Sequence, residues 1–193
     1  MRTMVTLAGL LLTWGAIGGD IASADLVVNG GFETGDFSDW NYTSVDGFSF
    51  VDIGFPHGGL YAAFFGDLQE DGGGSISQSL TTTVGSSYVL SFWFAGDGDT
   101  PSGFSAIVGG NVLYQVTNPS FDANYNLYTF DFTAASASTL LQFTEYDDPG
   151  YINLDDVSVV PSATVPEPTS MVTLVLGVVI LSCYSGCRRS RGR

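Results

Sequence analysis

The chain has 193 residues, with 20 acidic and five basic side chains and a formal net charge of −15. All five basic residues lie outside positions 25–165, and so do two of the acidic residues, Asp20 and Glu167, which leaves 18 carboxylates in that segment. Because the segment has no lysine or arginine to neutralise phosphates, nucleic-acid binding is excluded. Its carboxylates must be solvated, hydrogen-bonded or bound to metal ions.

The N-terminus has the features of a secretory signal peptide. Arg2 precedes an apolar run over residues 5–17, and an Ala-Ser-Ala cleavage motif ends at Ala24. We therefore predict a signal peptide over residues 1–24 and export of the remainder. Residues 25–161 contain no cysteine and so no disulfide. This length is sufficient for one domain with its own core.

Residues 25–161 are predicted to form an all-β domain. Residues 88–94 are mostly apolar and aromatic, as in a buried strand, and residues 128–132 alternate between apolar and polar side chains. Trp93, between two phenylalanines, is predicted to lie in the core. Further strands are predicted at residues 26–28, 48–53, 60–65, 75–80, 104–108, 112–116, 140–145 and 151–160. Turns rich in Gly and Asp separate them, and this spacing predicts a β-sandwich or barrel.

Three motifs narrow the choice of fold. Asn-Gly-Gly-Phe-Glu begins at Asn29 and is followed by Trp40, His-Gly-Gly-Leu-Tyr begins at His57, and Leu-Asp-Asp-Val begins at Leu154. Together they resemble the galactose-binding-like jelly roll of carbohydrate-binding modules of the family 4, 9 and 22 type. The resemblance covers almost all of residues 25–160 and implies a jelly-roll β-sandwich. It specifies the fold better than a ligand, because many surface proteins with no known sugar ligand carry these motifs.

The resemblance also implies a structural calcium ion. In these jelly rolls the first and last strands lie close together, so Glu33 would converge with Asp155 or Asp156. Backbone oxygens near Gly31 and Leu60 would complete the shell. Calcium binds six to eight hard oxygen ligands and tolerates irregular geometry. With no basic side chain in the domain, a cation is a favourable partner for converging carboxylates.

Two questions about this site stay open in the sequence. We favour Asp155 as the aspartate ligand, on the expectation that it shares strand parity with Val157 and Val159. The alternative to a metal site is that Glu33 caps a turn while both aspartates face solvent.

Carbohydrate binding requires aromatic rings beside polar groups. Tyr114 and Tyr125, in loop-rich surroundings, are the preferred candidates, together with Trp40. The wider set also contains Tyr42, Tyr61, Trp93 and Tyr146. One or two exposed rings give micromolar-to-millimolar binding, about −4 to −8 kcal/mol. We therefore expect weak glycan affinity at most.

Catalytic groups are scarce in residues 25–161, and we predict that the protein is not an enzyme. His57 is the only histidine of the chain, and both cysteines lie beyond residue 180. The adjacent Asp147 and Asp148 could in principle serve glycoside hydrolysis, but neighbouring acids are expected by chance in so acidic a segment.

The C-terminal segment resembles the PEP-CTERM sorting signal of Gram-negative bacteria. Residues 162–170 form a linker with Pro166, Glu167 and Pro168, residues 171–187 are predicted to form a transmembrane helix, and residues 188–193 are an arginine-rich tail that opens with Arg188 and Arg189. Because the arginines follow the apolar segment, the tail is expected in the cytoplasm. The resemblance implies an inner-membrane precursor processed by an exosortase-type enzyme. The alternative is an ordinary anchor that is never cut.

The sequence therefore predicts an exported, exosortase-sorted protein of the cell surface or extracellular matrix. Its jelly-roll domain is expected to be non-catalytic, with exopolysaccharide as the candidate partner. The first alternative is a carbohydrate-binding module for a defined glycan, and a purely structural or adhesive protein is another. A glycoside-active enzyme is the least favoured alternative.

Overall fold

The computed structural model describes residues 24–162. They form ten β-strands and a 3-10 turn at Gln69–Asp71. The strands are β1 (Asn41–Thr43), β2 (Phe50–Asp52), β3 (Ala62–Phe65), β4 (Gly74–Thr81), β5 (Ser87–Ala95), β6 (Ser102–Val108), β7 (Asn111–Thr117), β8 (Asn126–Thr133), β9 (Ser138–Asp147) and β10 (Ile152–Pro161). The predicted signal peptide, sorting motif, transmembrane helix and arginine tail lie outside the described residues. Within residues 24–162, no helix has the length and hydropathy needed to span a bilayer.

Two antiparallel five-stranded sheets enclose the core. The first sheet has the order β1-β4-β9-β6-β7 and the second the order β2-β3-β10-β5-β8. Most consecutive strands lie in different sheets, as in the double-sheet jelly roll. The predicted all-β two-sheet sandwich is therefore confirmed.

Phenylalanine side chains dominate the space between the sheets. Phe92 of β5 contacts Phe143 of β9 with ring centroids 5.4 Å apart, and Phe94 contacts Phe104 of β6 at 4.6 Å. Because side chains alternate along a strand, Trp93 points away from the core and lies on the outer face of the second sheet. The prediction that Trp93 is a core residue was wrong.

Two segments near the N-terminus differ from the predicted strands. Residues 26–28 do not form a strand, although the Leu26 N–H donates to the Val159 carbonyl at 2.9 Å. The Val28 N–H instead donates to the side chain of Gln78, so the ladder does not extend. An unpredicted strand, β1, pairs with β4 at the sheet edge.

Candidate functional site

Three carboxylates and the loop 57–61 meet beside β10, and we call Glu33, His57, Asp155 and Asp156 the strand-end cluster. Glu33 accepts hydrogen bonds from the Leu60 N–H at 2.9 and 3.1 Å and from the Tyr61 N–H at 3.1 Å. Asp155 accepts from the N–H groups of His57 and Gly58 at 2.8 and 3.1 Å. The cluster therefore links the N-terminal loop, the loop before β3 and the last strand.

Glycines allow these segments to approach each other. A Cβ at Gly31 would lie 3.2 Å from Asp156 Oδ1 and 3.9 Å from Asp155 Oδ1. A Cβ at Gly59 would overlap the Glu33 carboxylate, and Gly59 has a φ of +60°, which disfavours other residues. The glycines of the motifs thus serve close packing around the carboxylates.

A β-bulge in β10 decides how the two aspartates are oriented. The pairing of β10 with β5 shifts between Asp155 and Ser158, and Asp156 has a φ of +46°. A bulge inserts one residue and reverses the side-chain parity that follows it. Asp155 therefore points to the opposite face of the strand from Val157, and the parity argument for choosing Asp155 was wrong. Asp155 is nevertheless fully buried, whereas Asp156 is partly exposed.

All five residues of the predicted calcium site lie in or beside the strand-end cluster. The carboxylate oxygens of the three acidic residues accept hydrogen bonds from N–H groups. Each ionised carboxylate has about four lone-pair sites, so these oxygens can also bind a metal ion. Carboxylate oxygens are ligands that suit calcium. Leu60, which was predicted to supply a backbone oxygen, contacts Glu33 through its N–H. No group of three or more His, Cys, Asp or Glu side chains within residues 24–162 is already arranged around one metal position. The calcium site remains a prediction.

His57 has a packing role in this cluster. Its Nδ1 lies 2.7 Å from Asp156 Oδ2, and its ring stacks on Trp93 with centroids 3.7 Å apart. The ring of Tyr125 lies edge-on to that of His57 with centroids 5.6 Å apart, and its hydroxyl group donates to the Phe55 carbonyl at 2.6 Å. Burial, followed by the charges of Asp155 and Asp156, raises the pKa of Tyr125.

The three residues predicted to stack on sugar have little exposed ring surface. Trp40 is buried in the core and donates its Nε1–H to the Asn29 carbonyl, and Tyr125 is also buried. Tyr114 is half-buried between the sheets and lies 4.5 Å from the ring of Tyr128. Burial raises the pKa of Tyr114. These positions do not provide an open stacking platform.

The outer face of the first sheet is the surface most suited to a neutral ligand. The strand registers place one polar residue on each of the five strands in a single row, which we call the polar row: Gln115, Ser105, Thr144, Ser75 and Thr43. A second row runs from Thr117 through Gly103 to Tyr146. Among the described strand residues, none of the outward-facing positions in these rows is charged, in a segment with 18 carboxylates.

A cleft of about 240 Å³ lies over the two rows at β6, β7 and β9. Gly103 lets the ring of Tyr146 cross the neighbouring strand, because an ideal Cβ there would lie 2.5 Å from two ring carbons of Tyr146. Gln115, Thr117 and Thr144 contribute amide and hydroxyl groups to the walls. The cleft thus combines one aromatic ring with neutral donors and acceptors.

Only part of this surface was identified from the sequence. Tyr146 was in the wider set of aromatic candidates, whereas Gln115, Thr117 and Thr144 were missed. The available signal was alternation: Gln115 and Thr117 lie two residues apart on β7, as do Thr144 and Tyr146 on β9. Strand order, which brings these alternating residues together, is not evident from the sequence.

A buried pair of carboxyl groups lies behind this sheet. Asp67 and Glu145 are both almost fully buried, and a Cβ at Gly74 would overlap oxygens of both. Asp67 accepts hydrogen bonds from Ser44 Oγ at 2.8 Å and the Phe48 N–H at 2.9 Å. Burial, then the hydrogen bond and charge of Asp67, raises the pKa of Glu145 to about 9. Glu145 is therefore the protonated partner at neutral pH.

Comparison with solved structures identifies proteins with the same fold. A family 61 carbohydrate-binding module solved with β-1,4-galactotriose has a TM-score of 0.59 and 20% identity, over 72% of this chain and 100% of that one. A family 22 xylan-binding domain from Paenibacillus barcinonensis has a TM-score of 0.52 and 16% identity, over 75% and 98%. A cyclase from Fischerella sp. TAU, solved with an indolyl butanone, has a TM-score of 0.54 and 15% identity, over 74% and 100%.

No protein-family model and no curated protein matches the sequence. At identities of 20% and below, the likeness to solved structures concerns the fold alone. The chain has the β-sandwich found in carbohydrate-binding modules and also used by a cyclase.

Proposed function

We propose that residues 25–161 form a non-catalytic module that contacts polysaccharide through the polar row and the Tyr146 cleft. The observation that carries this proposal is a charge-free sheet face in a strongly acidic domain. Neutral hydroxyl and amide groups hydrogen-bond sugar hydroxyls, while an aromatic ring supplies apolar contact. The sandwich shared with a carbohydrate-binding module solved with β-1,4-galactotriose and with a xylan-binding domain supports the same assignment.

The geometry favours an extended chain over a single small ligand. The polar row crosses all five strands, and neighbouring strands lie about 4.8 Å apart. A chain lying across the strands would therefore meet a new polar side chain at each strand. The cleft, at about 240 Å³, is smaller than the roughly 300–1,000 Å³ of pockets that enclose small molecules.

Tyr146→Ala should weaken polysaccharide binding about tenfold, equivalent to about 1.4 kcal/mol, because it removes the aromatic contact. Gly103→Ala should have a similar effect, since the new methyl group displaces the ring. Calorimetry of the full-length protein against soluble β-1,4-galactan, xylan and exopolysaccharide measures both effects. Tyr151→Ala, on the other side of the sandwich, is the matched tyrosine control.

The result also separates the alternatives. Strong binding to one glycan, lost in Tyr146→Ala, would favour the carbohydrate-binding module with a defined ligand. Absence of binding to every polysaccharide, or equal binding by Tyr146→Ala and the parent, would contradict the proposal and favour a structural or adhesive role.

We also propose that the protein is exported, held in the inner membrane as a precursor and sorted to the cell surface by an exosortase-type enzyme. This proposal rests on the Ala-Ser-Ala motif ending at Ala24, on Pro166-Glu167-Pro168 and on the arginine tail. Mass spectrometry of the native surface protein should give an N-terminus at Asp25 and no Arg188–Arg193 peptide. An intact Arg193 terminus in surface material would leave only an uncut anchor.

A structural calcium ion at Glu33 and Asp155 is proposed on the composition of the strand-end cluster. Three carboxylates from two segments of the chain meet there, and the only basic side chain nearby is His57. The ion would hold the N-terminal loop against β10 and thereby stabilise the sandwich rather than take part in polysaccharide contact.

A further inference from the structure

Asp147, the last residue of β9, has an unusual environment. Its side chain is 1% exposed, and within residues 24–162 neither of its carboxylate oxygens has a hydrogen-bond partner. The Ile152 N–H lies close to this carboxylate but does not reach hydrogen-bond geometry. Buried carboxylates are normally hydrogen-bonded or paired, so this group requires an explanation.

Two further aspartates from the β5–β6 loop lie beside Asp147. A Cβ at Gly150 would overlap Asp97 Oδ2 and lie 2.8 Å from Asp99 Oδ2, so these two carboxylates converge next to the turn that follows Asp147. Asp97 accepts hydrogen bonds from the N–H groups of Asp99 and Tyr151 at 2.9 and 2.8 Å. These bonds fix the loop with its carboxylates toward the β9–β10 turn.

Asp147 has acidic neighbours and no basic partner. Asp97 and Asp99 lie near enough to interact electrostatically with Asp147. No lysine or arginine exists between residues 25 and 165 to compensate this charge. Asp67 and Glu145 differ, because Asp67 accepts hydrogen bonds from several donors and Glu145 accepts one from Ser49 Oγ at 2.9 Å.

We propose that Asp147, Asp97 and Asp99 bind a calcium ion at the end of the sandwich where β9 turns into β10. The buried Asp147 forms the inner ligand, while the half-buried Asp97 and the exposed Asp99 form the entrance. The three are not yet gathered around one point in the described residues, so the Asp97–Gly98–Asp99 loop closes on the ion. Gly98, with a φ of +87°, lies at the centre of that loop. Calcium fits better than magnesium, because magnesium requires near-ideal octahedral geometry.

This site lies apart from the strand-end cluster, and its test must separate the two. The full-length protein, stripped of metal with a chelator, is dialysed against calcium at pH 8, and the bound ions are counted. A Glu33→Gln variant serves as the background, because it weakens the other predicted calcium site. In that background we expect one bound ion, lost on adding Asp147→Asn and retained on adding Asp131→Asn. Asp131 is an exposed aspartate of β8 and gives the same change in charge.

Two results would overturn the proposal. One is that the Glu33→Gln protein binds no calcium, and the other is that Glu33→Gln/Asp147→Asn binds as much as its background. If circular dichroism shows that Asp147→Asn does not fold, Asp97→Asn replaces it in the same ion count. Asp97→Asn alters only a loop residue, and it should also remove the bound ion. Calcium binding at this site does not depend on polysaccharide contact. Either result would therefore leave the proposed polysaccharide binding unaffected.

Discussion

The domain should lose stability as the pH rises from 5 to 9, in the absence of calcium. The pKa of Glu145 is raised from 4.5 to about 9 in the folded state, with burial as the main cause. Below pH 4.5 this carboxyl is protonated in both states and its contribution is fully present. Between 4.5 and 9 only the unfolded chain releases the proton, so stability falls with pH. Each pKa unit corresponds to about 1.4 kcal/mol, so the loss is on the order of several kcal/mol.

Urea denaturation in chelator at pH 5, 7 and 9 measures this effect. Glu145→Gln should be more stable than the parent at pH 9 and should have a shallower pH dependence, because the amide stays neutral beside Asp67. The pKa values of Asp147 and Asp155 are raised to about 8 and about 6 mainly by burial. These two groups should therefore retain part of the pH dependence of stability in Glu145→Gln. Glu70→Gln, in the exposed 3-10 turn, should behave like the parent. Stability that rises from pH 5 to 9 would refute the assignment of Glu145 as protonated.

Calcium should raise the melting temperature through the strand-end cluster. A ligand that binds only the folded state at a hundredfold excess over its Kd stabilises by about 2.7 kcal/mol. Millimolar calcium should therefore stabilise the full-length protein clearly, magnesium should do less, and chelator should reverse the shift. Glu33→Gln and Asp155→Asn should each reduce the shift, because each removes a carboxylate ligand.

The control for this effect is Asp71→Asn, an exposed aspartate outside both predicted calcium sites. It should respond to calcium as the parent does. If Glu33→Gln and Asp155→Asn also respond as the parent does, and magnesium equals calcium, the shift is only charge screening.

The fold was largely predictable because alternation and turn residues mark strands locally. Nine of the ten structural strands overlap predicted ones, and the motifs at Asn29 and Leu154 indicated the jelly roll. The missed strand, Asn41–Thr43, has three residues, too few for a periodic signal. Residues 26–28 look like a strand, but the Gln78 side chain takes the Val28 N–H and the ladder stops.

The site residues were less predictable, because their positions depend on non-local pairing. Glu33, Asp155 and Asp156 all contact the loop 57–61, but the bulge at Asp156 could not be inferred from parity. Aromatic residues gave the weakest guide: Trp40 and Tyr125 are buried, whereas Trp93 faces outward. Tyr146, one of seven aromatic candidates in the sequence, is distinguished from the others only once Gly103 is known to be its neighbour across the sheet.

The most direct test of the central claim is the location of bound polysaccharide. Amide hydrogen exchange of the full-length protein, with and without a polysaccharide that it retains, compares the two sheets. Polysaccharide contact through the first sheet predicts slower exchange in residues 103–117 of β6 and β7 and in residues 142–146 of β9. Protection confined to β5 and β8 of the second sheet, or none in the presence of bound polysaccharide, would contradict it.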